Sequence, residues 1–392
     1  TDGLSGAVLD ILQDALGHVW MATASGAFSW DGDGFTRRAS GNIIRLAEDD
    51  DGSVWMKSGN GVLRHRQGHI ANMAAGSDAL GGIQTLVLHP ESGVWITSLD
   101  AGLTHVSDEG SRRYTAEDGF TSSAIEATYV DNGQRLWLAT QGVGITVFDG
   151  DSFVELAHDP GLLQNVRNIT QTRDGTFWFS TNAGVVQYDG FAYQSLLQRD
   201  GLAGNLLNDV LEDRHGDVWI GGTGGVTRYR PRHSQPPISI TDVVTDEHLG
   251  PVESVHVTTA DALLALEFRA ISFKTRPDAM RYRYRLAGLD DNWQLTETDR
   301  VEYDDLPVGS YTFEVQGIDR DLNYSAEPAR VAVTVALPIL SYAQWIVLCL
   351  AVAGLAWQTV RIVQRNRRLT HAQVELAESL TAKLEARELA EA

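Results

Sequence analysis

The sequence predicts a mainly β protein. A β-propeller comes first, an immunoglobulin/fibronectin-like β-sandwich second, and one transmembrane α-helix continuing into a coiled-coil helix last. Three observations carry this. Tryptophan recurs at positions 20, 55, 95, 137, 178 and 219, in steps of about 35 to 42 residues, the period of propeller blades and solenoid repeats. Longer alternating runs follow over 238–336, and residues 340–360 carry no charge.

Composition sets the limits. The chain has 392 residues, with ten Trp and 38 Gly, which suits many short strands joined by tight turns. A formal net charge of −21 argues against nucleic acid as a partner of this region, since that partner needs a basic surface. The single cysteine, Cys349, allows neither an internal disulfide nor a Cys-based zinc site. The chain opens on "TDGLSG", without an initiator Met or a signal peptide, so the expectation is a piece of a longer protein.

The first unit is 1–230. Around each repeated Trp the context returns, as in "LQDALGHVWMATASGAFSWDG", "TRDGTFWFSTNAGVVQYDG" and "EDRHGDVWIGGTGGVTRYR". An Asp- and Gly-bearing turn precedes a short apolar strand with the Trp, then a glycine turn and a second strand. Asp bonds its own turn and Gly accepts positive φ, so each period reads as hairpins, about four strands to a blade. Six tryptophans imply about six blades, with each Trp packed between blades. The glycine knot at 221–225 lacks the Lys-Ser/Thr ending of a phosphate-binding loop and a following helix, so it reads as a hairpin.

The frame "D-G-L … I-x-x-D-x-x-G-x-x-W-[IM]-[GA]-T-x-x-G-[VA]", clearest at 4–27 and 202–226, resembles the two-component regulator propeller repeats of bacterial sensor regions. "MKSGNGV" in the second copy and "HPESGVW" in the third depart from it. Such receptors usually carry more than six blades, which leaves closure of the ring open and implies blades missing at the N-terminus.

One polar column stands out. Ten residues before the repeated Trp lie Asp10, Arg45, Thr85, Asn168 and Asp209, and Glu126 joins them if the fourth copy carries one extra turn residue. This strand is the innermost of a blade. The column therefore either lines the channel mouth as a ligand site or bonds neighbouring blades.

Prolines in "RPRHSQPP" mark 231–237 as a linker. Over 238–336, strand patterns without helical periodicity suggest the β-sandwich. "YRYRLAGLDDNW" and "VEYDDLPVGSYTFEVQGID" resemble the triple-tyrosine (Y_Y_Y) domain that follows such propellers, and the resemblance makes Tyr284, Tyr303 and Tyr311 its three tyrosines. Physically these read as core residues, each hydroxyl finding a partner.

The uncharged run 340–360 is long enough to span about 30 Å of hydrocarbon. Tyr342, Trp345 and Trp357 suit its interfaces, and Arg361, Arg365, Arg367 and Arg368 mark the following end as cytoplasmic. Residues 1–338 are then periplasmic or extracellular, and the protein is a single-pass one of the inner membrane. Over 361–392, Leu369, Leu376, Leu380 and Leu384 share one face, which predicts a signalling helix paired in a homodimer.

No catalytic motif is visible. His371 sits in "THAQVE", unlike a histidine-kinase phosphoacceptor, and H-E-x-x-H is absent. "WDGDGF" and "EDDDGS" lack the distal Glu of a calcium loop and read as turns. No metal or cofactor is expected. The resemblance implies an extracytoplasmic sensor of a small polar ligand such as a saccharide, with a cytoplasmic output domain in the same full-length chain. A histidine kinase is the first choice of output and a diguanylate cyclase the alternative. A membrane-anchored glycan-processing propeller enzyme is the alternative of another class.

Overall fold

The structure is a computed structural model that describes residues 4, 6–59, 61–73, 83–89, 93–98, 102–120, 124–140, 144–156, 163, 165–259 and 263–391. Up to Tyr229 the strands form six antiparallel sheets in succession. The first five have four strands each, taken in chain order, and the sixth has three: Leu207–Glu212, Val218–Gly222 and Gly225–Tyr229. The inner strands Val8–Gln13, Ile43–Glu48, Ile83–Leu88, Ile125–Val130, Val166–Gln171 and Leu207–Glu212 lie each against the next. These are six blades in an arc. Blades two and three, blurred in sequence, have the same four strands as blades one, four and five.

The Asp-Gly-Trp spacing has a direct cause. In blade four, Asp131 Oδ1 accepts backbone N–H bonds from Gly133 and Arg135, at 2.9 and 2.8 Å, and so ties the turn. Asp131 Oδ2 accepts the Trp137 indole N–H at 2.8 Å. The same carboxylate-to-indole bond joins Asp14 to Trp20, Asp49 to Trp55 and Asp213 to Trp219. One aspartate thus closes the hairpin and anchors the ring six residues on. Blade five has Thr172 in that place, and the buried Trp178 indole N–H has no partner among the described residues. "WDGDGF" is likewise a turn, in which Asp31 Oδ1 accepts from Asp33 N and Gly34 N.

The tryptophans form the contacts between blades. Trp20 packs with Ile43, Val54 and Met56 of blade two, Trp55 with Val94 and Ile96 of blade three, and Trp95 with Ile125 and Leu138 of blade four. Trp137 stacks on Phe177 of blade five at 3.9 Å, and Trp178 packs with Leu207, Val210 and Ile220 of blade six. In the sixth blade Gly222 is required by close approach, since a Cβ there would lie 2.3 Å from the Leu206 carbonyl oxygen.

The second unit is a sandwich. Ile238–Val244, Leu264–Ala270 and Arg300–Tyr303 form one sheet, in the order given. Ser254–Thr258, Ala329–Ala336, Gly309–Ile318, Arg281–Ala287 and Gln294–Thr296 form the other, in spatial order. Its first pair is parallel. Phe268, Leu286, Phe313, Val315, Val331 and Val333 fill the space between the sheets. Two of the three tyrosines satisfy their hydroxyls: Tyr284 donates to Gln294 Oε1 and Tyr311 to the Pro307 carbonyl, both at 2.9 Å. Gly309 leaves room for the folded-back Tyr311 side chain, whose hydroxyl a Cβ would meet at 2.9 Å and whose ring at 3.0 Å. Tyr303 departs from the expectation. Its buried hydroxyl has no partner among the described residues, because the strand that carries it points the ring into the apolar core against Phe313.

Blades five and six dock on the sandwich. Gln187 and Gln194, both buried, donate side-chain bonds to the Arg320 and Ala279 carbonyls at 3.1 and 3.2 Å. Tyr324 donates to Asp189 Oδ2 at 2.6 Å and is capped by the Arg283 guanidinium, which also lies over Trp293. Tyr229 donates to Asp321, and burial together with the Asp321 charge pushes its phenol pKa up. Lys274 Nζ bonds Asp319 Oδ2, Asp321 Oδ2 and the Arg232 carbonyl at 2.9, 2.5 and 2.6 Å. The two buried carboxylates share a cation that is tethered to a backbone carbonyl.

Leu337 and Pro338 alone separate the last sandwich strand from the helix Ile339–Glu391, which runs unbroken for 53 residues. Its most apolar 18-residue stretch has mean hydropathy 2.0, long and apolar enough to cross a membrane. Cys349, Leu369, Leu376, Leu380 and Leu384 are exposed on it.

Candidate functional site: the mouth of the arc

Every inner strand breaks register at the same place. The pairing skips one residue between Val8 and Asp10, Ile43 and Arg45, Ile83 and Thr85, Ile125 and Ala127, Val166 and Asn168, and Leu207 and Asp209. Each skip is a β-bulge, which leaves a residue unpaired and re-aims its side chain, as happens next to active sites. The skipped residues are Leu9, Ile44, Gln84, Glu126, Arg167 and Asn208. All stand eleven residues before their Trp.

The sequence-derived column therefore mixes two registers. Asp10, Arg45, Thr85, Asn168 and Asp209 follow the bulge, whereas the residue following it in blade four is Ala127. Glu126 is the bulge residue itself, so blade four carries no extra turn residue. The residues after the bulge are largely occupied. Asp10 Oδ2 accepts from Leu46 N of blade two at 2.9 Å, and Arg45 Nη1 lies 3.8 Å from Asp10 Oδ1. Thr85 Oγ1 accepts from Thr128 of blade four at 3.0 Å. Thr170 Oγ1 sits 2.9 Å from both Asn168 Oδ1 and the Val210 carbonyl of blade six, and its one proton serves either. Asp209 Oδ1 accepts from its neighbour Val210 N, its one partner among the described residues.

A cavity of about 660 Å³ opens at this level, lined by Thr85, Glu126, Asn165, Arg167, Asn182 and Asn208. Three of these are bulge residues of successive blades, four to six. Asn165 holds φ at 55°, in the left-handed region that Asn tolerates, at the entry to its inner strand. Asn182 comes from the hairpin after Phe177–Thr181. Thr85 and Glu126 are thus the members of the sequence-derived column that reach the cavity. Asn165, Arg167, Asn182 and Asn208 were missed, though the eleven-residue spacing marks Arg167 and Asn208. The bulge residues of blades one and two are Leu9 and Ile44, so the polar mouth belongs to blades three to six.

Among the described residues no group of three or more His, Cys, Asp or Glu could hold a metal ion. The lining is one carboxylate, one guanidinium, three carboxamides and one hydroxyl, a set that binds by directed hydrogen bonds and charge.

Residues 274–336 match the Y_Y_Y domain. The sandwich contains a Y_Y_Y domain. The chain is also similar to histidine kinase P4 of Formosa agariphila, 26% identical over 220 residues that make up 50% of this chain and 16% of that one. Among solved structures it is similar to the extracellular domain of BT3049 from B. thetaiotaomicron, described as a hybrid two-component system. Identity there is 16% and TM-score 0.44, over 86% of this chain and 56% of that one. The corresponding domain of BT4673 has 17% identity and TM-score 0.47, over 84% and 50%. The chain spans about one sixth of the first relative's length and about half of each of these structures. The Y_Y_Y domain stands between propeller and helix, bonded to blades five and six on one side and two residues from the helix on the other.

Proposed function

We propose that this chain is the extracytoplasmic ligand-sensing and signal-transducing part of a single-pass bacterial receptor, whose full-length protein is a sensor histidine kinase. The observation that carries this is the series of direct connections from the polar mouth, through blade five and the Y_Y_Y domain, to a helix long enough to cross a membrane. Blade five holds Arg167 at its inner strand and Gln187, Asp189 and Gln194 at its docked edge. The similarity to a protein named as a histidine kinase supports the kinase output.

In this reading residues 1–338 lie outside the cytoplasm and the arginines after 360 lie inside. The exposed Leu369, Leu376, Leu380 and Leu384 pair two copies. A small polar ligand, such as a saccharide, favours one of two dimer arrangements and shifts their populations by its difference in affinity.

Orientation is tested with single cysteines at two exposed positions, Leu16→Cys and Glu375→Cys, in a Cys349→Ala background. On intact spheroplasts a membrane-impermeant maleimide labels the first and not the second. Labelling of Glu375→Cys alone, or of both, overturns the arrangement.

A further inference from the structure

Five of the six mouth side chains, Glu126, Asn165, Arg167, Asn182 and Asn208, have no ion pair and no side-chain hydrogen bond among the described residues. Several arginines elsewhere in the propeller are paired: Arg64 with Asp51 and Asp108, Arg135 with Asp131, and Arg173 with Glu212. Arg167 is thus an uncommitted guanidinium, turned out by a bulge, in a chain of formal net charge −21.

We propose that the mouth recognises a polyhydroxylated anion, with Arg167 holding its carboxylate or sulfate and Glu126 with the three asparagines holding its hydroxyls. This rests on the reading of the mouth as the ligand site and adds the charge of the ligand to it. A guanidinium presents two parallel N–H groups that match the two oxygens of a carboxylate or sulfate. Each carboxamide offers both a donor and an acceptor, and a carboxylate offers acceptors, the complement of neighbouring hydroxyls that must give one bond and take another. The described lining residues carry hydrogen-bonding and charged groups and no aromatic ring. The volume, about 660 Å³, lies within the roughly 300–1,000 Å³ of sites that enclose a small ligand. The surrounding negative charge opposes an approaching anion, and that field is screened beyond about 8 Å at physiological salt. Arg167 therefore makes the mouth selective at close range.

The test uses the full chain in detergent micelles and a paired array: uronate-containing or sulfated oligosaccharides of two to four units, each beside its carboxyl-reduced or desulfated counterpart. At least one acidic member is expected to bind at least tenfold tighter than its neutral partner, and Arg167→Gln to abolish that difference. Glu126→Gln and Asn208→Ala are expected to weaken acidic and neutral members alike. Neutral members binding as well as acidic ones, with loss in Asn208→Ala, would remove the anion and keep the site. Binding untouched by all three substitutions would remove the site as well, and no binding to any member would overturn the proposal.

Discussion

Trp178 and Trp219 stand at the same place in successive blades and meet different surroundings. Trp178 is 1% exposed, sealed by blade six, while Trp219 is 38% exposed and faces no further blade among the described residues. Their order is reversed for the hydrogen bond. Trp219 has its aspartate, Asp213, and the buried Trp178 has none. The sixth copy is among the most regular in sequence and the least covered in structure, with Leu211 and Val226 exposed beside Trp219. At the other end of the arc Leu9, Ile11 and Leu16 are exposed in blade one. A repeat motif therefore specifies how a blade folds on itself. Burial is supplied by its neighbour.

The sharpest way to break this comparison is to truncate the ring. Trp137→Ala removes a ring stacked on Phe177 and buried between two blades, and is expected to cost about 3–5 kcal/mol. Trp219→Ala should cost under about 1 kcal/mol, because the exposed ring leaves no cavity. Urea unfolding of the full chain in micelles measures both, and equal costs would mean that the motif itself carries the stability. A smaller effect sharpens the hydrogen-bond half. Thr172→Asn offers the orphaned Trp178 indole N–H an acceptor and is expected to gain about 0.5–1 kcal/mol, whereas a loss would show that Thr172's own bonds to Asp174 and Thr176 matter more.

The smallest expected effect is on pH. His65 lies edge-on to Trp20, with ring centroids 4.9 Å apart, at the junction of blades one and two. Burial, and then the charges of Arg38 and His69, hold its imidazole below the ordinary value of about 6.5. The unfolded chain binds that proton more readily, so the contribution is complete above about pH 6.5 and is lost as pH falls through the folded value. The urea midpoint of the wild type should drop more between pH 7.5 and 5.5 than that of His65→Gln. Parallel pH profiles would place the sensitivity elsewhere.

Much of the fold was legible because its cause is local. The Asp-to-Trp spacing is one carboxylate serving a turn and a ring, and it survives in blade two, where the sequence drifts, whereas in blade three His89 takes the aspartate's place and lies against Trp95. The bulges were not legible, because a bulge changes what a residue faces without changing what it is. Counting ten residues back from Trp selected polar groups that hold blades together, such as Asp10 and Thr85, and required an exception for Glu126. Counting eleven needs no exception and reaches Arg167 and Asn208. Tyr303 was misjudged for a different reason: its partner had to come from a non-local neighbour, and the core offers none.

The joint between the Y_Y_Y domain and the helix has a mechanical meaning. Two residues, one of them a proline with its φ fixed, leave almost no slack between the strand Ala329–Ala336 and the helix. At about 1.5 Å per residue, those 53 residues make a rod of about 80 Å, of which some 30 Å suffices for the bilayer. A tilt or twist imposed at its base is not absorbed by a flexible tether. It is carried along the rod as torque, so the geometry of the sandwich and the orientation of the helix's far end are set together.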